Sequence, residues 1–282
     1  MSGGFEIWLF VMAVGASALG GMLGMASGIF IVPLLTTLAG VDIHTAIGAS
    51  LVSVIACSCG SAADYLKSRL TNIRLAVVLE TATTLGALTG VLLAGIVPVP
   101  WLFALFSMIL AVSAVQMLSR RRESIVAGDG RWAHWRLDSS YPDRNLGRDI
   151  AYEVHRLPAG MSLMYGAGLI SALLGIGSGV LKIPAMDAAL RLPIKVSSAT
   201  SNFMIGVTAA ASASAYFIRG DIAAPVAGPV ALGSVIGAIA GARLLLIIPS
   251  ERLRLLFVGV LVILAFQMLL GAFGIDLVRG AA

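Results

Sequence analysis

Long apolar stretches follow one another along nearly the whole chain, with short polar segments between them. Six of them have about the length that crosses a bilayer as a helix, roughly 20 residues; they cover about residues 44–66, 75–96, 99–118, 195–218, 222–247 and 252–272. Two others, 5–40 and 159–190, are longer, and residues 5–40 would extend about 54 Å as a single helix. The pattern predicts an all-α polytopic membrane protein.

Both long stretches are interrupted by the same residue types. "GMASGIFIVP" (24–33) and "GIGSGVLKIP" (175–184) share the order Gly-x-x-Ser-Gly followed by Pro. No charged loop divides residues 5–40, so we expect a helix that breaks at the glycines and doubles back or re-enters. Irregular backbone at membrane depth is stable only when protein surrounds it or when it lines a cavity. The breaks therefore predict a central site.

A shift of 151 residues aligns the chain with itself. The two interrupted segments coincide, "SAADY" (61–65) meets "SASAY" (212–216), and "QML" recurs at 116–118 and 267–269. The chain is therefore interpreted as two tandem homologous units of about four helical elements, residues 1–118 and 159–282. Glycines four residues apart in the third span of each unit predict close helix packing; they are Gly86, Gly90, Gly237 and Gly241.

Basic residues fall on different loops in the two units. Those of the first unit lie between spans two and three and after span four, whereas those of the second lie before spans two and four; they are Lys67, Arg69, Arg74 and Arg120–Arg122, then Arg191, Lys195, Arg252 and Arg254. Since basic loops stay on the cytoplasmic side, this indicates repeats of inverted topology with broken or re-entrant first helices. A parallel arrangement of four plus four helices is the alternative.

Composition agrees with a membrane protein. The chain is 59% hydrophobic and only 12% charged, against about 25% charged in typical soluble domains. Its net charge of +5 fits basic cytoplasmic loops and requires no nucleic acid. Residues 119–158 alone have the composition of a soluble segment, and we expect a cytoplasmic connector there, with a regulatory or partner-binding loop as the alternative. Cys57 and Cys59 are interpreted as packing residues.

Lys182 is the most unusual residue of the spans. It aligns with Ile31, so only one unit carries this charge. Ionisable residues inside a membrane are costly and are functional candidates by default. Anion binding is the favoured interpretation, because the helix restart after the break offers free N–H groups. Pairing with Asp187 and snorkelling to the interface are the alternatives.

The expected substrate site gathers both breaks and the polar residues of the second spans. Its members are Gly24, Ser27, Gly28, Pro33, Ser50, Gly175, Ser178, Gly179, Lys182, Pro184, Ser201 and Asn202. Ser and Asn in membrane helices also serve simply to join neighbouring helices. Glu80, about two turns inside span three, is a candidate to carry a coupling proton, or else pairs with Arg74.

Enzymatic chemistry is not expected. Ser178 and Lys182 are four residues apart and could form a dyad, but the first unit has Ser27 with Ile31 and no histidine lies deep in a span. The glycine-rich segments lack the G-x-x-x-x-G-K-[ST] order of a phosphate-binding loop. His134 and His155 lack the partners of a metal site. We expect no cofactor and no metal.

The duplicated G-x-x-S-G…P segment, with the polar stretches 46–51 and 197–202, resembles the TauE/SafE sulfite exporter family. "GIGSGVLKIPAM" and "LPIKVSSATSNFMIGVTAAASA" are especially similar to that family's second half. The resemblance implies a multi-pass permease of a bacterial or archaeal plasma membrane that moves sulfite, sulfonates or related anions. The family often has three successive glycines where this chain has Ala26-Ser27-Gly28 and Gly177-Ser178-Gly179, which leaves the substrate open.

The expected function is secondary transport of small anions, with sulfite or organosulfonate export by alternating access as the leading hypothesis. An anion channel and an uptake permease for another small oxyanion are the alternatives. A membrane scaffold acting through residues 119–158 is a third. The partners expected are the anion and the lipid bilayer; the sequence leaves the coupling ion and any homo-oligomer open.

Overall fold

A computed structural model describes residues 3–23, 27–67, 69–118, 137–143, 148–245 and 250–273. The first half contains α1 (Gly3–Leu23), α2 (Gly28–Thr37), α3 (Ile43–Lys67), α4 (Ile73–Ala94) and α5 (Val99–Leu118). A hairpin of β1 (Ser139–Asp143) and β2 (Arg148–Tyr152) follows. The second half contains α6 (Leu157–Leu174), α7 (Gly179–Ala185) with a π-helical turn (Met186–Leu190), α8 (Ile194–Ile218), α9 (Ala224–Leu245) and α10 (Ser250–Ala272).

The helix bounds follow the periodicity of the sequence. The six predicted spans lie within two residues of α3, α4, α5, α8, α9 and α10. Each long stretch contains two helices. Helix α2 begins at Gly28, directly after a turn residue, Ser27, and α7 begins at Gly179, after the non-helical residues 175–178. Helices α2 to α5 begin 151 residues before α7 to α10, respectively. The helix starts are therefore separated by the same 151 residues as the matching sequence segments.

Local sequence explains where several helices begin and end. The side chain of Asn72 caps α4 by accepting from the N–H of Leu75 at 3.1 Å, which satisfies one of the free donors of a helix start. Pro98 precedes α5, where a missing N–H costs nothing. Gly175 ends α6 in the left-handed conformation, with φ of 67°, which glycine adopts without the strain of a Cβ.

Glycines allow the longest helix pairs to approach closely. On α4, a Cβ at Gly86 or Gly90 would overlap the carbonyl oxygens of Tyr165 or Leu169 on α6. On α9, Gly237 and Gly241 stand against the carbonyl oxygens of Val14 and Ala18 on α1 in the same way. The predicted packing role of these four glycines is therefore confirmed.

Helices α3 and α8 occupy the centre of the bundle. They pack against each other, and each also packs against one long helix of the other half, α3 against α9 and α8 against α4. Around them, α1 lies along α9, α4 along α6, and α5 along α10. If each helix is replaced by its counterpart in the other half, the same pairs of helices are again in contact. The two halves therefore pack against each other in matching ways.

The outer surface is apolar. Large side chains such as Leu92, Ile96 and Leu232 are exposed by 74%, 77% and 66%, an extent that soluble monomers avoid in contiguous patches. Helices α4, α6 and α9 each contain a window long and apolar enough to cross a membrane. The chain is a multi-pass membrane protein.

The connector contains a β-hairpin that the sequence did not predict. Its two strands pair antiparallel, with Tyr141 opposite Ile150. Asn72 donates to the carbonyl of Leu137 at 2.7 Å and to the hydroxyl of Tyr152 at 3.0 Å. Tyr141, Tyr152 and residues of α4, α6 and α8 share one buried cluster, and burial raises the pKa of the Tyr152 phenol. The hairpin is thus packed against the membrane helices.

Candidate functional site

The start of α2 and the end of α6 touch each other between the two halves. A Cβ at Gly28 would overlap the carbonyl oxygen of Gly175 and lie 2.7 Å from Oγ of Ser50. The Ser50 hydroxyl, on α3, donates to that same carbonyl at 2.7 Å. Gly175 also packs against Ile47, one turn before Ser50. The structure therefore brings together the four predicted site residues Gly28, Ser50, Gly175 and, directly before α2, Ser27.

A buried ion pair lies on the second-half side of this centre. The Lys182 ammonium, on α7, donates to Oε2 of Glu80 on α4 at 3.1 Å and to Oγ1 of Thr208 on α8 at 2.6 Å. The Thr208 hydroxyl in turn donates to Oε1 of Glu80 at 2.5 Å. The Lys182 side chain is 0% exposed and that of Glu80 11% exposed. We call Lys182, Glu80 and Thr208 the charged triad.

The triad changes two expectations from the sequence. The partner of Lys182 is neither Asp187 nor lipid headgroups but Glu80, and Glu80 pairs with Lys182 rather than with Arg74. Such a buried pair is stable only when geometry and further hydrogen bonds offset the desolvation of both ions. Thr208 supplies such bonds to both ions, and Thr84 adds a longer contact to Oε1 of Glu80 at 3.4 Å.

A neutral chain of hydroxyls occupies the corresponding place beside α2, with members from both halves. Ser27 and Ser53 are linked at 2.8 Å, and Ser53 and Ser234 at 2.5 Å. The Cys57 thiol donates to Oγ of Ser27 at 3.5 Å and to the carbonyl of Ser234 at 3.3 Å. We call Ser27, Ser53, Cys57 and Ser234 the hydroxyl chain. It joins α2, α3 and α9, as the charged triad joins α7, α8 and α4.

Two predicted site serines carry unsatisfied hydroxyls. Ser178 and Ser201 are both 0% exposed, and their Oγ atoms have no hydrogen-bond partner within the described residues. Ser178 lies one turn before Lys182, and its carbonyl accepts from the Lys182 N–H at 2.8 Å. A Cβ at Gly179 would lie 3.7 Å from Oγ of Ser201. Unsatisfied buried hydroxyls cost about 1–3 kcal/mol each, so they mark places where a ligand could bind.

The remaining predicted residues are placed less centrally. Pro33 is buried inside α2, where its carbonyl accepts from Thr37 at 2.6 Å. Pro184 lies inside α7, two residues before the π-helical turn, a rare element that is frequent at functional sites. Asn202 is buried, and its carbonyl accepts from the Ser58 hydroxyl at 2.9 Å. Gly24 lies outside the described residues.

In the described part of the chain, no group of three His, Cys, Asp or Glu side chains is placed so that it could hold a metal ion. Cys57 is buried and Cys59 is exposed, so the two cysteines face different sides of α3. The polar groups that the fold does assemble are an ammonium, a carboxylate and hydroxyls. These groups can hold a small oxyanion by charge and hydrogen bonds.

Comparison with known proteins gives the family. The model of the sulfite exporter TauE/SafE family matches residues 9–268. This chain belongs to that family. Among curated proteins, it is similar to the probable membrane transporter protein YunE of Bacillus subtilis (strain 168), with 26% identity over 225 residues, which cover 76% of this chain and 79% of the relative. No solved structure gives a significant match. As a TauE/SafE member, the protein is a membrane transporter.

Sequence reasoning missed the charged triad although a signal was present. Lys182 and Glu80 each place a charge where the residue 151 positions away is apolar, Ile31 and Ala231 respectively. Two such departures, Glu80 in the first half and Lys182 in the second, introduce opposite charges and so indicate that the two residues depend on each other. The third member, Thr208, corresponds to Cys57, and this exchange of a thiol for a hydroxyl gave no comparable signal.

Proposed function

We propose that this TauE/SafE protein is a secondary transporter of small anions, with sulfite and organosulfonates as its substrates. The observation that carries the proposal is Lys182, a fully buried ammonium on α7. Ser178 precedes α7 and Ser201 lies near its first residue, Gly179, and both buried hydroxyls lack a hydrogen-bond partner among the described residues. Sulfite and sulfonate groups present three oxygen acceptors and a negative charge. The ammonium would supply the charge, and the Ser178 and Ser201 hydroxyls would each donate one hydrogen bond.

The contact between the two breaks supports a site at the middle of the membrane. Gly28, the first residue of α2, lies against Gly175, which ends α6, and the Ser50 hydroxyl contacts both residues. In several transporter folds, discontinuous helices meet at such a place and form the substrate site. Lys182 and Ser178 follow directly after the second break, so an anion held there would lie beside both halves.

Alternating access fits the arrangement of the helices. The most extensive packing contacts between the halves have counterparts when the halves are exchanged, such as α1 along α9 and α4 along α6. We propose that the halves are inverted-topology repeats, supported by the opposite positions of their basic loops. Motion of one repeat against the other would open the site to each side in turn. The plasma membrane is then the expected location, with the connector in the cytoplasm.

Transport by purified protein in proteoliposomes tests this function. We expect saturable flux of radiolabelled sulfite, competed by methanesulfonate, and counterflow driven by unlabelled anion. Flux that rises linearly with concentration would indicate an anion channel instead. Absence of flux for sulfite, sulfonates and sulfate would contradict small-anion transport altogether.

A double variant tests whether Lys182 is the anion site. Lys182→Met with Glu80→Gln removes both charges together, so neither ion is left buried without its partner. We expect this variant to fold and insert but to lose anion flux. The matched control is Glu153→Gln, an exposed residue of the connector, which should transport as the wild type does. Wild-type flux in the double variant would contradict the assignment of Lys182.

A further inference from the structure

The charged triad has no net charge, and this restricts how an anion can bind to it. Lys182 and Glu80 are 3.1 Å apart, and the ammonium is 0% exposed. An anion added beside Lys182 would leave two negative groups around one positive group inside the membrane. At about 4 Å, repulsion between the anion and the Glu80 carboxylate would weaken binding about a thousandfold at an effective dielectric constant of about 20.

Protonation of Glu80 removes this penalty. A neutral carboxyl frees the ammonium for the anion, and the site then again holds one positive and one negative charge. The alternative, movement of the ionised carboxylate into the lipid, would strand a charge in hydrocarbon. Because Lys182 is held by α7 and Glu80 by α4, the two can separate when the helices move without any unfolding.

The surroundings of Glu80 suit proton exchange. The side chain of Glu80 is 11% exposed, whereas that of Lys182 is fully buried. Thr208 and Thr84 both contact Oε1, and each hydroxyl can accept as well as donate, so a protonated carboxyl would still have hydrogen-bond partners. The other ionisable residues on the helices packed around the pair are Arg74 on α4, Tyr165 on α6, Asp187 on the π-helical turn, and Lys195 and Tyr216 on α8.

We propose that Glu80 couples anion transport to protons: each anion that binds Lys182 does so together with one proton taken up by Glu80. The inference rests on the proposed function and adds the coupling ion to it. In the balanced step, the anion and the proton enter, the Lys182–Glu80 contact opens, and Lys182 pairs with the anion while Glu80 becomes neutral. Release of the anion and loss of the proton restore the pair.

This coupling determines the direction of transport. A monovalent anion that moves with one proton carries no net charge, so the membrane potential does not act on it. Direction then follows the product of the anion and proton concentrations on each side. When the exterior is one pH unit more acidic, export requires the anion to be more than about tenfold more concentrated inside. Below that ratio, the same protein would take the anion up.

Calorimetry with the wild-type protein tests the proposal without any variant. Sulfite and methanesulfonate are titrated at one pH into the detergent-solubilised full chain, in two buffers with different ionisation enthalpies. We expect one proton to be taken up per methanesulfonate bound at pH 8. We also expect the affinity for methanesulfonate to fall as the pH is raised. Anion binding with no proton uptake and no pH dependence would overturn the proposal and leave anion transport intact.

Glu80→Gln assigns the proton to its residue. The variant is purified with methanesulfonate present, because the anion then replaces the missing counter-ion of Lys182. We expect it to bind the anion at pH 8 at least tenfold more tightly than the wild type, with no proton uptake. Glu153→Gln is the matched control and should take up one proton. Proton uptake that persists in Glu80→Gln would overturn the role of Glu80.

Transport separates this proposal from the one on which it rests. In proteoliposomes, an inward acid pH gradient should accelerate sulfite uptake by the wild type and not by Glu80→Gln. If both proteins respond equally to the gradient, Glu80 is not the coupling residue, although anion transport stands. If the wild type neither binds nor moves any tested anion, the proposed function fails and this inference fails with it.

Discussion

Breaking the Lys182–Glu80 pair should cost far more stability than removing both of its members. At the observed separation of 3.1 Å, Coulomb attraction amounts to about 5 kcal/mol at an effective dielectric constant of about 20. Much of this attraction offsets the desolvation of the two ions. Removing one partner leaves a buried, unpaired charge, and such losses are typically about 3–5 kcal/mol. Lys182→Met and Glu80→Gln should each destabilise the protein by about 3 kcal/mol or more.

The double variant should recover most of this loss. Met has nearly the length of Lys, and Gln keeps the shape of Glu and can still hydrogen-bond to Thr208. Replacement of a buried ion pair by neutral residues is often neutral or stabilising. We therefore expect a coupling energy of about 5 kcal/mol or more, far above the deviation of about 0.5 kcal/mol found for independent sites.

A thermodynamic cycle of unfolding in detergent, without added anion, measures this coupling. Arg219 and Asp221 provide a control cycle, because their charges lie 3.2 Å apart but their side chains are 33% and 23% exposed. For this exposed pair we expect a coupling energy of only about 0.2–1 kcal/mol. Additive effects of Lys182→Met and Glu80→Gln would refute the buried pair, and with it the electrostatic argument for proton coupling.

Two further substitutions test packing and the anion site separately. Gly90→Ala should destabilise the protein by about 1–3 kcal/mol, because the new Cβ overlaps the carbonyl oxygen of Leu169. Gly166→Ala, with nothing within 4 Å of its Cβ, should be neutral or slightly stabilising in the same thermal unfolding assay; equal losses would contradict the close approach of α4 and α6. Ser201→Ala should leave the empty protein as stable or about 1 kcal/mol more stable, since an unsatisfied hydroxyl disappears. It should also weaken sulfite binding tenfold or more, and unchanged affinity would remove Ser201 from the site.

Helix positions could be predicted from the sequence because apolar runs and their breakers are local signals. Residues 99–118 were predicted as a span, and α5 covers the same residues. The breaks before Gly28 and Gly179 were likewise visible, since glycine and serine interrupt otherwise apolar runs there. The β-hairpin was not visible. Its first strand, Ser139–Asp143, is short and polar and contains Pro142, so it has the composition of a turn.

The partner of Lys182 could not be read from local patterns. Asp187 was considered because it is near in sequence, yet Glu80 lies 102 residues away and reaches Lys182 only through the packing of α4 against α8. Intramembrane charges seek each other because nothing else in hydrocarbon compensates them. Two isolated charges deep in different spans should therefore be tested as a pair before either is assigned a separate role.

The difference between the hydroxyl chain and the charged triad explains how a duplicated fold could hold a single anion. Two ammonium–carboxylate pairs would double the desolvation cost and would create two sites of equal affinity. Here the place beside α2 keeps neutral donors, Ser27 with Ser53 and Ser234, and only the place beside α7 carries charge, with Lys182 from the second half and Glu80 from the first. With one ammonium and one carboxylate, binding of one anion is balanced by one proton. Under the proposed coupling, the asymmetry at Lys182 and Glu80 sets both the number of anions bound and the number of protons that accompany them.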